Sequence, residues 1–133
     1  MNREILFRGK RTEDGKWMYG YYQDEKTSTA DFPCIVPFCG SAYDDDNDWE
    51  VDVETVGQYT GLTDKNGTKI FEGDIIHGFG GNFAVRWSPE ICSFVAGEGR
   101  RILPAMTYGT MKSFEVIGNI YDNPELMEDK ENE

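Results

Sequence analysis

The stretch Glu54–His77, ETVGQYTGLTDKNGTKIFEGDIIH, decides the fold class of this chain. Asn66-Gly67 stands between two runs of strand-forming residues. Asn-Gly is the strongest short-range hairpin signal, because both residues tolerate positive φ. Glu72-Gly73-Asp74 then has the composition of a second turn, and Ile75-Ile76-His77 that of a third strand. The pattern predicts a β-meander.

The register of the first hairpin follows from the position of its turn. With Asn66-Gly67 as a two-residue loop, Leu62 lies opposite Phe71 and Asp64 opposite Lys69. The first is an apolar cross-strand pair and the second pairs opposite charges, and both kinds stabilise antiparallel strands. These features predict a scaffold, and none of them indicates a chemical activity.

Three parts of the chain resemble the YopX family of small bacteriophage and prophage proteins. The run TVGQYTGLTDKNGTKIFEGDII, residues 55–76, resembles the family signature. Residues 3–8, REILFR, are similar to its opening strand, and residues 114–126, FEVIGNIYDNPEL, to its closing one. The resemblance implies an all-β fold and a phage setting. It implies no activity and no site residue, because none is established for the family.

The remaining sequence also favours short strands separated by turns. Residues 3–22 predict an opening hairpin around Asp14-Gly15. Residues 32–38 predict an edge strand or an extended segment, because Pro33 and Pro37 cannot donate to a β-ladder. Further strands are predicted at residues 83–87, 93–96 and 114–121, with a loop that can include a short strand over residues 100–113.

These elements predict an all-β fold, with residues 1–127 as a single domain of short antiparallel strands. The domain would be a small barrel with SH3-like elements or a sandwich. The barrel is preferred because residues 71–76 resemble the Gly-Asp turn of SH3-like barrels. Asn123-Pro124 predicts a capped helical turn near the C-terminus. The acidic residues 128–133 are expected to be a disordered tail.

Residues 49–54 predict a half-buried strand with an acidic outer face. Trp49, Val51 and Val53 alternate with Glu50, Asp52 and Glu54, which is the period of a strand with one apolar side. The three carboxylates would then project from one face, about 7 Å apart.

The net charge of −12 is concentrated in two segments. Residues 44–54 hold seven acids and no base, and residues 122–133 hold six acids and one Lys, so these segments contribute −7 and −5. The rest of the chain is neutral. An acidic chain repels nucleic acid at long range, which argues against direct nucleic-acid binding, although a neutral body can carry a local basic patch.

Neither of two candidate metal sites has the pattern that its chemistry requires. Asp44, Asp46 and Asp48 alternate as in an EF-hand loop, but Trp49 replaces the required Gly and Thr55 the bidentate Glu. The other candidate is a zinc site built from Cys34, Cys39, Cys92 and His77, whose spacing lacks the usual pairs of ligands two to four residues apart. We expect no metal and no cofactor, and reduced thiols.

No combination of residues predicts catalysis. One His without a nucleophile motif gives no base held near a nucleophile. Gly78, Gly80 and Gly81 lack the following helix start and Lys of a phosphate loop, so they predict a turn. A small hydrolase or nucleotide-handling enzyme is the alternative, and His77 beside two buried carboxylates would favour it.

The sequence predicts a non-catalytic module that binds a protein or self-associates, without a membrane or small-molecule ligand. A bacterial cytoplasmic location is expected, since no stretch is long and apolar enough to cross a bilayer. The acidic segment would dock on a basic surface, as a decoy if that surface normally holds nucleic acid. An edge that discourages aggregation explains the same charges. The predicted partner-binding residues are Asp44, Asp45, Asp46, Asp48, Glu50, Asp52 and Glu54.

Overall fold

The strands of this chain form two open antiparallel sheets in the part that the structure describes. The structure is a computed structural model, and it describes residues 4–24, 26, 32–37, 49–98, 102–103 and 106–127. The all-β prediction is confirmed, and the described strands close no barrel. The chain divides into two compact units, Met1–Tyr59 and Thr60–Glu133. The extent of the domain stays a prediction, and residues 128–133 lie outside the described part.

The first unit is built on the predicted opening hairpin, which is confirmed. Phe7 pairs with Gly20 and Lys10 with Trp17, and Gly15 takes a φ of +72° in the connecting turn. The strand order in this unit is β3-β2-β1-β4, and β4 continues into the second unit. The bounds are β1 Phe7–Lys10, β2 Trp17–Gln23, β3 Cys34–Val36 and β4 Gly57–Thr63.

The β3 strand is last in the sheet order, as its two flanking prolines predict. Its free edge is partly covered by residues 49–51. The backbone N–H of Ile35 donates to the carbonyl of Trp49, and that of Val51 donates to the carbonyl of Pro33, both at 3.0 Å. Pro33 lacks an N–H, so its carbonyl is the backbone group it can offer here.

The predicted strand at residues 49–54 is wrong. Glu50 and Val51 form isolated bridges only, and a 3₁₀ turn follows at Val53–Thr55. Val51 is buried as expected, but Val53 is 54% exposed instead of facing inward. The carboxylates therefore do not line one face of a strand.

Local turn chemistry explains this difference. The side chain of Asp52 accepts a hydrogen bond from the backbone N–H of Glu54 at 3.1 Å, and the carbonyl of Asp52 accepts one from the N–H of Thr55 at 2.9 Å. Asp is favoured in such a position because its carboxylate satisfies an N–H that the turn leaves unpaired. The turn overrides the alternation of apolar and acidic residues.

The second unit contains the rest of the strands and a four-residue α-helix. The four-stranded sheet has the order β8-β7-β6-β9, while β5 pairs with β4. The bounds are β5 Lys69–Phe71, β6 Asp74–Gly78, β7 Gly81–Ser88, β8 Ser93–Ala96, α1 Tyr108–Met111 and β9 Glu115–Asn119.

The turns of the predicted meander lie where they are expected, but the predicted pairing of its third strand with the second is wrong. The turn at Glu72-Gly73 exists, with Gly73 at a φ of +92°. The chain then enters the other sheet, where β6 pairs with β7 and β9. Backbone bonds fix this change of sheet, because Gly73 donates to the carbonyl of Val85 and its own carbonyl accepts from Ile120.

The hairpin loop between β4 and β5 has three residues rather than two. The N–H of Asp64 donates to the carbonyl of Thr68 at 2.9 Å, and the N–H of Gly67 donates to the carbonyl of Asp64 at 3.0 Å. Gly67 has a φ of +81°, whereas Asn66 does not take positive φ. This is a tight turn followed by one residue in the left-handed conformation, and such three-residue loops are the most common hairpin connection after two-residue loops.

The longer loop shifts the register by one residue. Asp64 lies opposite Thr68 and not Lys69, so Leu62 no longer falls opposite Phe71. The two-residue loop with positive φ occurs instead between β6 and β7, at Phe79 with +52° and Gly80 with +78°. The turn predicted from Gly78, Gly80 and Gly81 is confirmed, with Phe79 and Gly80 as its two loop residues.

The hydrophobic core of the second unit lies against β6 and β7. Gly78 lets this core close, because a Cβ there would lie 2.6 Å from a ring atom of Phe114. Phe114 also meets Phe79 edge-on, with ring centroids 4.8 Å apart. The buried core residues are Ile70, Ile76, Phe83, Val85, Ala96, Leu103, Met111 and Phe114.

The predicted C-terminal helical turn is confirmed as a 3₁₀ helix at Pro124–Met127. Its predicted cap behaves differently, because the Asn123 side chain accepts from the N–H of Asn119 at 3.3 Å. The helix α1 was not predicted. Thr107 caps it by accepting from the N–H of Thr110 at 3.1 Å.

Candidate interaction surface

Three aromatic side chains follow one face of β2. Trp17, Tyr19 and Tyr21 alternate with Met18 and Gly20, and successive side chains of a strand point to opposite faces. Tyr19 is 48% exposed and Tyr21 is 53% exposed. We call Trp17, Tyr19 and Tyr21 the aromatic row.

Glycines on the opposite face allow close backbone packing there. A Cβ at Gly20 would lie 2.1 Å from the carbonyl oxygen of Val36, and one at Gly9 would lie 3.1 Å from the Cβ of Val51. There is no room for a ring at Gly20. Met18 and Tyr22 share this face with Gly20, whereas Trp17, Tyr19 and Tyr21 stand on the other face of β2.

Two cations from β1 lie beside the row. Arg8 pairs with Tyr19 and Lys10 with Trp17, so their side chains share its face. The guanidinium carbon of Arg8 lies 4.6 Å from the ring centroid of Trp17, and the Lys10 ammonium lies 5.9 Å from it. Both distances are within the range of cation–π attraction. Arg8 is only 5% exposed, so its charge is largely removed from solvent.

The turn at Val53–Thr55 is fixed to the end of β1. Lys10 donates its N–H to the hydroxyl of Thr55 at 2.8 Å, and its carbonyl accepts from the N–H of Asp52 at 2.9 Å. The Thr55 hydroxyl in turn donates to the carbonyl of Asp52 at 2.6 Å. Because Lys10 pairs with Trp17, this turn lies towards the Trp17 end of the aromatic row.

The predicted acidic residues are only partly assembled by the structure. Asp52 and Glu54 are exposed on this turn, which we call the acidic turn, while Glu50 is half-buried beside β3. The predicted residues Asp44, Asp45, Asp46 and Asp48 lie outside the described part of the chain.

Tyr22, unlike Tyr19 and Tyr21, is packed against its neighbours. It lies on the face opposite the row, with its ring centroid 6.1 Å from that of Phe7. Its hydroxyl donates to Asp24 at 2.8 Å. Burial is the largest cause that raises the pKa of Tyr22 to about 12, and the hydrogen bond to Asp24 and the charge of Asp24 add to it.

Burial also raises the pKa of the Cys34 thiol, so this thiol is a poor nucleophile at neutral pH.

The other candidate zinc ligands do not form a cluster in the described residues. His77 is exposed on β6, with Nδ1 2.7 Å from the side-chain oxygen of Asn82. Cys92 is exposed after β7, Cys34 is buried in the first unit, and Cys39 lies outside the described part. No group of three or more His, Cys, Asp or Glu side chains suited to a metal occurs where the structure describes the chain.

Two buried carboxylates serve the backbone of the second unit. Asp64 accepts from the N–H groups of Asn66, Thr68 and Val116, at 2.8, 2.9 and 2.9 Å. Burial alone would raise the pKa of Asp64, but these three donors and the charge of Lys112 together lower it. Asp74 accepts from the N–H of Phe71 at 2.7 Å.

Comparison with known proteins agrees with the strand pattern. The YopX protein family matches residues 6–128, nearly the whole chain. The chain belongs to the YopX family. The crystal structure of protein EF1440 from Enterococcus faecalis is similar to this YopX-family chain, with a TM-score of 0.59 and 23% sequence identity, over 96% of this chain and 100% of that one. This likeness shows the fold alone. No curated protein matches.

The described residues of this YopX-family chain contain no helix long and apolar enough to cross a membrane. The aromatic row was not predicted as a site, although β2 itself was. Its signal is present in WMYGYYQ, residues 17–23, where aromatic residues recur at every second position and Gly20 stands between two of them. What the sequence does not show is which face the packing against β3 leaves exposed.

Proposed function

We propose that this chain is a non-catalytic, phage- or prophage-encoded module that binds a protein partner through the aromatic row. The observation that carries the proposal is the exposure of Tyr19 and Tyr21 on one face of a paired strand. Tyr, Trp and Arg are the residues most enriched at the energetic centres of protein interfaces. An ordered strand also presents them without the entropy cost of fixing a loop.

The surroundings of the titratable groups support a non-catalytic role. Asp64 and Asp74 are buried and accept hydrogen bonds from backbone N–H groups, which is a structural use of a carboxylate. His77 is exposed, and its cross-strand neighbours are Asn82 and the half-exposed Glu115. The alternative, a small hydrolase or nucleotide-handling enzyme, requires polar groups that converge in a pocket.

Site-specific photocrosslinking in a bacterial host tests the proposal. The full chain would carry a photoreactive phenylalanine in place of Tyr19 or Tyr21, one at a time. Tyr108 is the matched control, because it is 67% exposed and lies in the second unit. We expect a discrete adduct at positions 19 and 21 and none of the same mass at position 108.

The mass of the adduct distinguishes the partners. The chain has a mass of 15.2 kDa, so an adduct of twice that mass would be a second copy, and any other mass a different protein. Identical adducts at all three positions, or none at positions 19 and 21, would contradict binding through the aromatic row.

A further inference from the structure

We infer that the partner presents a basic surface, whose Arg side chains stack on Tyr19 and Tyr21 while neighbouring Arg or Lys side chains pair with Asp52 and Glu54 of the acidic turn. This inference rests on the proposed function, because it names the partner of the same surface. It combines the exposed aromatic row with the position of the acidic turn in the same unit.

The aromatic row already holds one cation in the geometry that we infer for the partner. The guanidinium of Arg8 lies over the ring of Trp17 at 4.6 Å. A guanidinium stacks on an aromatic face through its planar, weakly hydrated cation. Tyr19 and Tyr21 continue the row at steps of roughly 7 Å, and about half of each side chain is exposed.

The carboxylates extend this surface past the Trp17 end of the row. Asp52 and Glu54 are exposed there and are held by the backbone bonds of Lys10 and Thr55. The described carboxylates of residues 44–54 are Asp52, Glu54 and the half-buried Glu50, which outnumber the two β1 cations beside the row. A partner with alternating Arg side chains can therefore reach rings and carboxylates in one extended contact.

The sign of the charge favours a basic protein over two other occupants. A second copy of the chain carries −12, and nucleic acid is a polyanion, so both are repelled at long range. A basic protein is attracted, and this attraction raises its association rate, more so at low salt. The described exposure and the charge of the sequence thus point to the same partner class.

Binding of synthetic peptides tests directly whether the chain prefers a basic partner. The probe is a fluorescent 16-residue peptide of alternating Arg and Ser, compared with Lys–Ser and Glu–Ser peptides of equal length, by fluorescence anisotropy with the full chain. We expect the Arg peptide to bind more tightly than the Lys peptide, because Arg stacks on aromatic rings better than Lys does. The Glu peptide should not bind.

Three variants separate the contributions. Tyr19→Ser/Tyr21→Ser keeps the net charge, and it should weaken Arg-peptide binding at least fivefold and remove the preference for Arg over Lys. Glu50→Gln/Asp52→Asn/Glu54→Gln should weaken the binding of the Arg peptide and of the Lys peptide by similar factors. Asn at position 52 can still accept the capping hydrogen bond from residue 54. The matched control, Tyr108→Ser/Glu125→Gln, changes exposed residues of the second unit and should stay within twofold.

Each other outcome overturns the inference. A row variant that binds the Arg peptide as tightly as the wild type does would mean attraction to net charge alone. If the wild-type chain does not bind the Arg peptide, a basic partner is excluded. The proposed function would still stand if positions 19 and 21 crosslink to a protein. A wild-type dimer in sedimentation velocity that the Tyr→Ser variant dissociates would assign the row to a second copy. Tyr19→Phe/Tyr21→Phe keeps both aromatic rings, so it should bind the Arg peptide as the wild type does, unlike Tyr19→Ser/Tyr21→Ser. Circular dichroism verifies that each variant is folded.

Discussion

Asp64 is a residue whose role changes between sequence and structure. A cross-strand charge pair with Lys69 is what the spacing predicts, yet the side chain is buried and accepts three backbone N–H bonds. Two of these bonds close the hairpin loop after β4, and the third joins the loop to Val116 of β9. A buried carboxylate is stable there because several donors offset the loss of water.

Replacing Asp64 with Ala should destabilise the protein by about 2–4 kcal/mol, because three N–H groups lose their acceptor and those that stay buried cannot regain water. Urea unfolding at pH 7 measures this, with Glu98→Ala, an exposed carboxylate of the same unit, as control. The pKa of Asp64 is lowered in the fold. Its contribution is therefore present above the unfolded pKa of 3.8 and is lost as the pH falls below that value. The difference in stability between wild type and variant should therefore shrink as the pH falls below 3.8, and a difference that stays constant down to the lowest pH at which both fold would contradict this role.

At the scale of elements, hairpin loops decide how neighbouring strands pair. The β4–β5 loop uses three residues with Gly67 at positive φ, and the β6–β7 loop uses two, Phe79 and Gly80. Both arrangements match the right-handed twist of the strands. A loop longer by one residue shifts the register by one position, so loop type is part of the fold.

Replacing Gly67 with Val should cost roughly 1–3 kcal/mol, because a β-branched side chain is strained at positive φ. A Cβ there meets no atom within 4 Å, so the cost measures backbone strain and not a clash. Thermal or urea unfolding would measure it, with the neighbouring Thr68→Val, which adds no strain of this kind, as control. Equal stability of wild type and Gly67→Val would mean that the loop does not hold residue 67 at positive φ.

At the scale of the whole molecule, charge and burial are distributed separately. The net charge of −12 lies in two segments, whereas the core residues of the second unit are Ile, Val, Phe and other apolar side chains. Neither a disulfide nor a metal cluster occurs among the described residues. A chain of this length can be stabilised by hydrophobic burial without them.

From the spacing of its Cys and His residues, we expect the purified protein to contain no stoichiometric zinc and a chelator to leave its melting temperature unchanged. A structural zinc site would be coupled to folding, so removing the metal would unfold the domain. Elemental analysis and thermal melting with and without chelator provide the measurement. Cys34→Ser is the informative variant, since a zinc signal that disappears in it would reveal a site.

The sequence by itself determined the all-β class and the positions of most strands and turns. Asp14-Gly15 and Gly73 mark turns, Pro33 and Pro37 mark an edge strand, and Pro124 marks the last helical turn. These signals are local, because they depend on the φ that a residue tolerates or the donor that it lacks. Family membership also follows from such runs, as residues 55–76 show.

Only the tertiary structure decided pairing, facing and the role of buried polar groups. The change of sheet at Gly73 depends on Val85 and Ile120, which are distant in sequence. The alternation in residues 49–54 predicts a strand, but the capping by Asp52 and the bond between Thr55 and Lys10 form a turn. The exposed face of β2 depends on how closely Val36 approaches Gly20. A local pattern specifies an element, whereas its partner and its exposed face depend on contacts that the sequence order does not contain.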